Sequence, residues 1–106
     1  MDVTPREVKA MQERGEKFRL IDVRETDEWN TVKIEGAELI PLSQFQPQAA
    51  TILADPDEKI VLYCHHGMRS ARAQGYLKGQ GYTDVLNLTG GIDAWAREVQ
   101  PGMARY

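Results

Sequence analysis

An apolar, partly β-branched run, Ile60-Val61-Leu62-Tyr63, ends on Cys64, the single cysteine of the chain. The loop His65-His66-Gly67-Met68-Arg69 follows, and a helix is expected from about Ser70 to Gln80. This stretch constrains the fold more than any other. A strand that hands a lone thiol to the entrance of a helix makes an α/β unit and a candidate nucleophile at once. The first N–H groups of a helix lack intrahelical partners and sit at the positive end of its dipole. A loop whose amides turn inward at that point forms a concave nest that favours an anion. Such a nest is expected to stabilise Cys64 as the thiolate, the form that attacks.

The rest of the chain alternates in the same manner. Thr4-Pro5-Arg6-Glu7 is a capping box with proline at the first helical position, so a short helix opens there and Gly15 closes it. Phe18 to Val23 reads as a strand with Asp22 and Arg24 at its C-terminal edge, and Glu25 to Asn30 as one acidic helical turn around Trp29. A short strand over 36–41 stops at proline, and a weak helix over 43–53 must place Pro47 near its start. Lys59 to Tyr63 is the strand that delivers the thiol. After the helix behind Cys64, Asp84 to Leu88 is a strand and Gly90-Gly91 leads into a helix from Ile92 to about Val99. Residues 3–99 form the expected core, and 100–106 read as a short loose tail. Alternating strands and helices imply a three-layer α/β/α domain with a central, mainly parallel sheet of about five strands. Ligands of such sheets bind at the carboxyl ends of the strands, where Cys64 stands.

Composition removes several classes of function. At 106 residues the chain holds one domain with one modest core. A net charge of −3 argues against nucleic acid, which requires a basic face. No apolar run approaches the length that spans a bilayer, and the first residues lack the apolar segment of a secretory leader, so no membrane partner is expected. One cysteine cannot staple its own chain, which fits a reducing cytoplasm. Three consecutive residues, Cys64-His65-His66, seldom converge on one ion, and no further Cys or His completes a zinc site. Neither a metal nor another cofactor is therefore expected.

Three segments carry a specific resemblance. Leu20-Ile21-Asp22-Val23-Arg24 with Ile34-Glu35-Gly36-Ala37 and Ile40-Pro41, then Cys64 to Ser70, then Asn87-Leu88-Thr89-Gly90-Gly91-Ile92-Asp93-Ala94-Trp95, resemble in order the signatures of the single-domain rhodaneses. One departure is visible, Val32-Lys33 where that family commonly has Gly-His, and it bears on local hydrogen bonding rather than on the thiol. The resemblance implies a sulfurtransferase that carries sulfur as a Cys64 persulfide. A small sulfur donor such as thiosulfate loads it, and an external thiol, a protein acceptor or, in the test tube, cyanide unloads it. With no second cysteine, nothing internal resolves the persulfide.

Each site residue has a dull reading beside the functional one. Cys64 alone is often a small buried hydrophobe, and the loop and helix behind it favour the nucleophile. His65, His66, Gly67, Met68, Arg69 and Ser70 form the substrate-binding loop. The histidines line its mouth, Gly67 permits a backbone bend, Met68 is an apolar lip, and Arg69 offers charge to a donor's oxyanion group. Arg72 supports it from one turn further along. Asp22 and Arg24 stand near the site and read first as a structural ion pair. Trp29 and Trp95 are packing residues, and Gly90-Gly91 marks close packing rather than a phosphate site. Four residues lie between Cys64 and Arg69, whereas cysteine phosphatases have five between cysteine and arginine. The smaller ring suits one sulfur atom, so phosphatase or arsenate-reductase chemistry ranks last. A rhodanese-fold carrier, sensing or binding module with little turnover is the nearer alternative.

Overall fold

The computed structural model describes residues 1–106. The elements in chain order are β1 (Asp2–Val3), α1 (Pro5–Glu13), β2 (Arg19–Asp22), α2 (Thr26–Thr31), β3 (Glu38–Leu39), a 3₁₀ turn (Leu42–Gln44), α3 (Phe45–Ile52), β4 (Ile60–Tyr63), α4 (Met68–Gly79), β5 (Val85–Leu88) and α5 (Gly91–Glu98). The five strands lie in the order β1-β5-β4-β2-β3, and every pairing is parallel. The α/β fold expected from the alternating pattern is therefore present.

Strand side chains alternate between faces, so the thiol strand contributes to two cores. Ile60, Leu62 and Cys64 pack with Phe45, Ala49, Leu53, Ala73 and Leu77 of the α3–α4 side. Val61 and Tyr63 pack with Val8, Met11, Ile92 and Trp95 of the α1–α5 side. β4 is flanked by β5 and β2 and is buried along its whole length. Its C-terminal end is thus a buried platform from which Cys64 leaves the sheet.

Local chemistry explains most boundaries. Thr4 Oγ1 accepts from the Glu7 N–H, and the Glu7 carboxylate accepts from the Thr4 N–H, which closes the expected capping box. Pro47 is the third residue of α3, where a missing N–H costs nothing because no intrahelical carbonyl would receive it. Three expectations need correction. β1 was not foreseen, because two residues carry no periodicity and exist only through pairing with β5. The helix behind Cys64 begins at Met68 rather than Ser70, because Gly67 adopts φ +110° and starts the helical turn sooner. Residues near the C-terminus do not form a loose tail. Arg105 bonds to Asp93 (2.8 Å), and the Tyr106 ring stacks on His65 with centroids 4.0 Å apart. No helix is long and apolar enough to cross a membrane.

Candidate active site

Cys64 stands just beyond β4 and is almost wholly buried, at 1% exposure. Three donors converge on its Sγ: the Gly67 N–H (3.1 Å), the Ser70 N–H (3.4 Å) and the Ser70 hydroxyl (3.4 Å). Ser70 is the third residue of α4, the position whose N–H a capping side chain ordinarily receives. No capping oxygen is present there, and the sulfur takes its place. Of the loop amides, Gly67 faces the sulfur, and Ser70 in the first turn of α4 adds a second N–H, with the positive end of α4 behind them.

Asn87 completes this shell. Its Nδ2 donates to the Gly67 carbonyl (3.1 Å), which turns its Oδ1 toward the Ser70 hydroxyl (2.5 Å). The side chain thereby ties loop and helix to β5. The opposite wall comes from α5, whose Ile92 and Asp93 N–H groups donate to the carbonyls of Cys64 (2.8 Å) and His65 (3.1 Å). A Cβ on Gly91 would fall 2.4 Å from both of those oxygens, so Gly90-Gly91 serves close approach of helix to loop.

Arg69 does not stand free. Its guanidinium makes two bonds to the Glu28 carboxylate (2.6 and 2.8 Å). Glu28 also accepts from the Glu25 N–H (3.1 Å) and the Tyr106 hydroxyl (2.8 Å). The Arg69 hydrogen bonds, ahead of the opposing effect of burial, hold the Glu28 carboxyl down at about 2. The same pairing holds the Arg69 guanidinium above its ordinary range, with a further contribution from the nearby Cys64.

Asp22 and Arg24 form an ion pair at 2.7 Å, and neither has any exposed surface. Burial opposes the Arg24 charge, and bonds to Asp22 and Tyr106 more than offset it. Arg24 also donates to the Val32 carbonyl (2.5 Å), so Val32 takes part in this network through its backbone. Lys33 lies over the Trp29 ring at 4.6 Å. Arg72 is exposed, makes no ion pair, and lines a separate cavity of about 310 Å³ with Ser43, Gln46 and Pro47.

Around the mouth, His65 lies between His66 and Tyr106, while Met68 is 81% exposed. Burial, and secondarily His66, push the His65 imidazole toward its neutral form. His65, His66 and Asp93 converge, with ligand atoms within 4.8 Å of one another, a grouping that sequence proximity of the histidines alone did not suggest. Asp93 is already held by Arg105 (2.8 Å) and Arg97 (3.5 Å), and these positive charges oppose a divalent ion there.

Sequence reasoning thus brought together Cys64, His65, His66, Gly67, Met68, Arg69 and Ser70, and missed Glu28, Asn87, Asp93 and Tyr106 as neighbours. Asn87 alone had a visible signal, a polar residue inside an apolar strand. Glu28 sits among other acidic residues, and nothing in the order of residues ties it to Arg69.

A parallel sheet that ends in a buried thiol, cradled by helix and loop donors, defines an α/β domain built around a single cysteine. The family model for the rhodanese-like domain matches residues 4–98. The chain belongs to the rhodanese-like domain family. It is 43% identical over 104 residues to the probable adenylyltransferase/sulfurtransferase MoeZ of Mycobacterium tuberculosis, covering 98% of this chain and 26% of that protein. It thus spans about a quarter of that relative's length. It is 40% identical over 89 residues to a sulfurtransferase of Allochromatium vinosum, covering 84% of this chain and 81% of that one. The crystal structure of a rhodanese-like domain protein from Staphylococcus aureus superposes with a TM-score of 0.81 at 29% identity, covering 100% and 99% of the two chains.

Proposed function

We propose that this chain is a sulfurtransferase that moves sulfane sulfur through a persulfide on Cys64. The observation that carries this reading is the set of three donors directed at Sγ rather than at an open oxyanion cavity. In the first half-reaction the Cys64 thiolate attacks the outer sulfur of a donor, the donor's S–S bond breaks, and the remainder leaves with the electron pair. With thiosulfate the products are Cys64–S–S⁻ and sulfite. In the second, a thiophilic acceptor takes the outer sulfur and returns the thiolate. With cyanide the product is thiocyanate. Thiolate and persulfide are both anionic, so the same N–H and O–H donors serve both halves. The chain's only cysteine is the nucleophile itself, so the acceptor, a thiol or a protein, comes from outside.

Within this reading Gly67 and Ser70 bind the sulfur, and His65, His66 and Met68 form the rim that meets donor and acceptor. Arg69 is locked by Glu28 as part of the loop's frame. Asp22 and Arg24 act as support beneath that frame. A carrier with slow release uses the same first half-reaction and differs only in the second. The test is intact mass after brief exposure to a sulfane-sulfur donor, with thiosulfate and an alkyl persulfide tried in parallel. Wild type is expected to gain one sulfur atom, lose it on addition of cyanide, and turn over repeatedly. Cys64→Ser is expected to gain nothing. Equal gain on the serine variant, or no gain from either donor, would sink the proposal, and gain without repeated turnover would select the carrier.

A further inference from the structure

We infer that this site draws its sulfur from an organic persulfide in preference to thiosulfate, because Glu28 already neutralises the one arginine of the active-site loop. The inference rests on sulfur transfer through Cys64 and specifies its donor.

Thiosulfate is a dianion, and bringing it to a thiolate gathers three negative charges in a small space. That approach needs cations not already matched by carboxylates. Arg69 is bound through two N–H groups to Glu28 at 2.6 and 2.8 Å. Glu28 is itself held by the Glu25 N–H and the Tyr106 hydroxyl, so the pair is fixed from both sides. Arg24 is buried against Asp22. Arg105 and Arg97 face Asp93, which also lies 3.9 Å from His66 Nε2. Burial pushes His65 toward its neutral form. Arg72 makes no ion pair and lines a separate cavity beside Ser43 and Gln46. Arg69, Arg24, Arg97 and Arg105 are thus each matched by an acidic partner.

An organic persulfide suits these surroundings. In its protonated form, R–S–SH, it adds no charge at the reacting sulfur. Its carbon group would rest against the rim, where Met68 is 81% exposed and the His66 side chain is 65% exposed. The step balances without an oxidant. Cys64–S⁻ bonds to the outer sulfur, the S–S bond of the persulfide breaks, and R–S⁻ leaves with the electron pair. Cys64–S–SH remains.

The test measures sulfur loading by intact mass with thiosulfate and with the persulfide of N-acetylcysteamine, whose organic group is uncharged. Each rate is divided by that of free N-acetylcysteine with the same donor, which removes intrinsic reactivity. Wild type is expected to favour the persulfide by at least about tenfold, the effect of one unmatched charge at short range. Glu28→Gln, which unmasks Arg69, is expected to raise thiosulfate loading about tenfold and to leave persulfide loading within about threefold. Parity of the two donors on wild type overturns the inference and leaves sulfur transfer intact. An unchanged donor ratio in a Glu28→Gln protein with native circular dichroism also overturns it. If that variant does not fold, the wild-type ratio decides. Loading from neither donor overturns sulfur transfer and the inference together.

Discussion

Ser70 shows how much one side chain contributes to the thiol's surroundings. A hydroxyl has one proton, and Ser70 has three acceptors for it, Asn87 Oδ1 at 2.5 Å, the Gly67 carbonyl at 3.3 Å and Cys64 Sγ at 3.4 Å. An anionic sulfur draws that proton toward itself, and the Asn87 oxygen receives it when the sulfur is neutral. Ser70→Ala removes this adjustable donor while leaving the two backbone N–H groups in place. A hydrogen bond to a charged group contributes about 1.5 kcal/mol, so alkylation of Cys64 at neutral pH is expected to slow about tenfold. Iodoacetamide kinetics on folded protein measure this directly. An unchanged rate would mean that the backbone alone holds the thiolate.

At the scale of elements, the site is the meeting of two helix starts with one strand end. α4 supplies donors to the sulfur, and α5 supplies N–H groups to the carbonyls of Cys64 and His65. The second contact requires Gly91, which has φ +61° and no room for a Cβ. Gly75 lies inside α4 with open space around it. Alanine at the two positions should therefore act in opposite directions. Gly75→Ala is expected to stabilise the fold by about 0.5–1 kcal/mol through helix propensity. Gly91→Ala is expected to cost more than about 2 kcal/mol and to slow sulfur loading, because the loop must move off the helix. Urea unfolding of the two variants checks both signs. Equal effects would remove the close-packing account of Gly90-Gly91.

Across the whole molecule, one charged network joins parts of the chain that are far apart in sequence. Asp22–Arg24 meets Tyr106, Tyr106 meets Glu28, and Glu28 meets Arg69 on the loop. Its pH dependence follows from Glu28, whose carboxyl lies at about 2 in the fold against an ordinary 4.5. The folded state favours the ionised form, so this stability is fully present above pH 4.5 and is lost as pH falls toward 2. Glu38, held low by Arg19, changes in the same direction. The urea midpoint is expected to fall across this window, and Glu28→Gln is expected to make the fall shallower. The same slope in wild type and variant would show that the network does not couple to folding.

Sequence by itself determined the strand–thiol–loop–helix unit, the capping box of α1, the parallel α/β architecture and the nest around Cys64. All of these follow from near-neighbour sterics, side-chain periodicity and the unpaired N–H groups of a helix start, which act over a few residues. It did not determine the partner of Arg69, the anchoring of Ser70 by Asn87, or the seating of Tyr106 on His65. Glu28 lies 41 residues from Arg69, and Tyr106 lies 78 residues from Glu28. Several acidic side chains were equally eligible until sheet order placed α2 beside the loop after β4. The thiol's donors are local and so were legible, whereas the charge around it was decided only when the tertiary structure chose which carboxylate stands against which arginine.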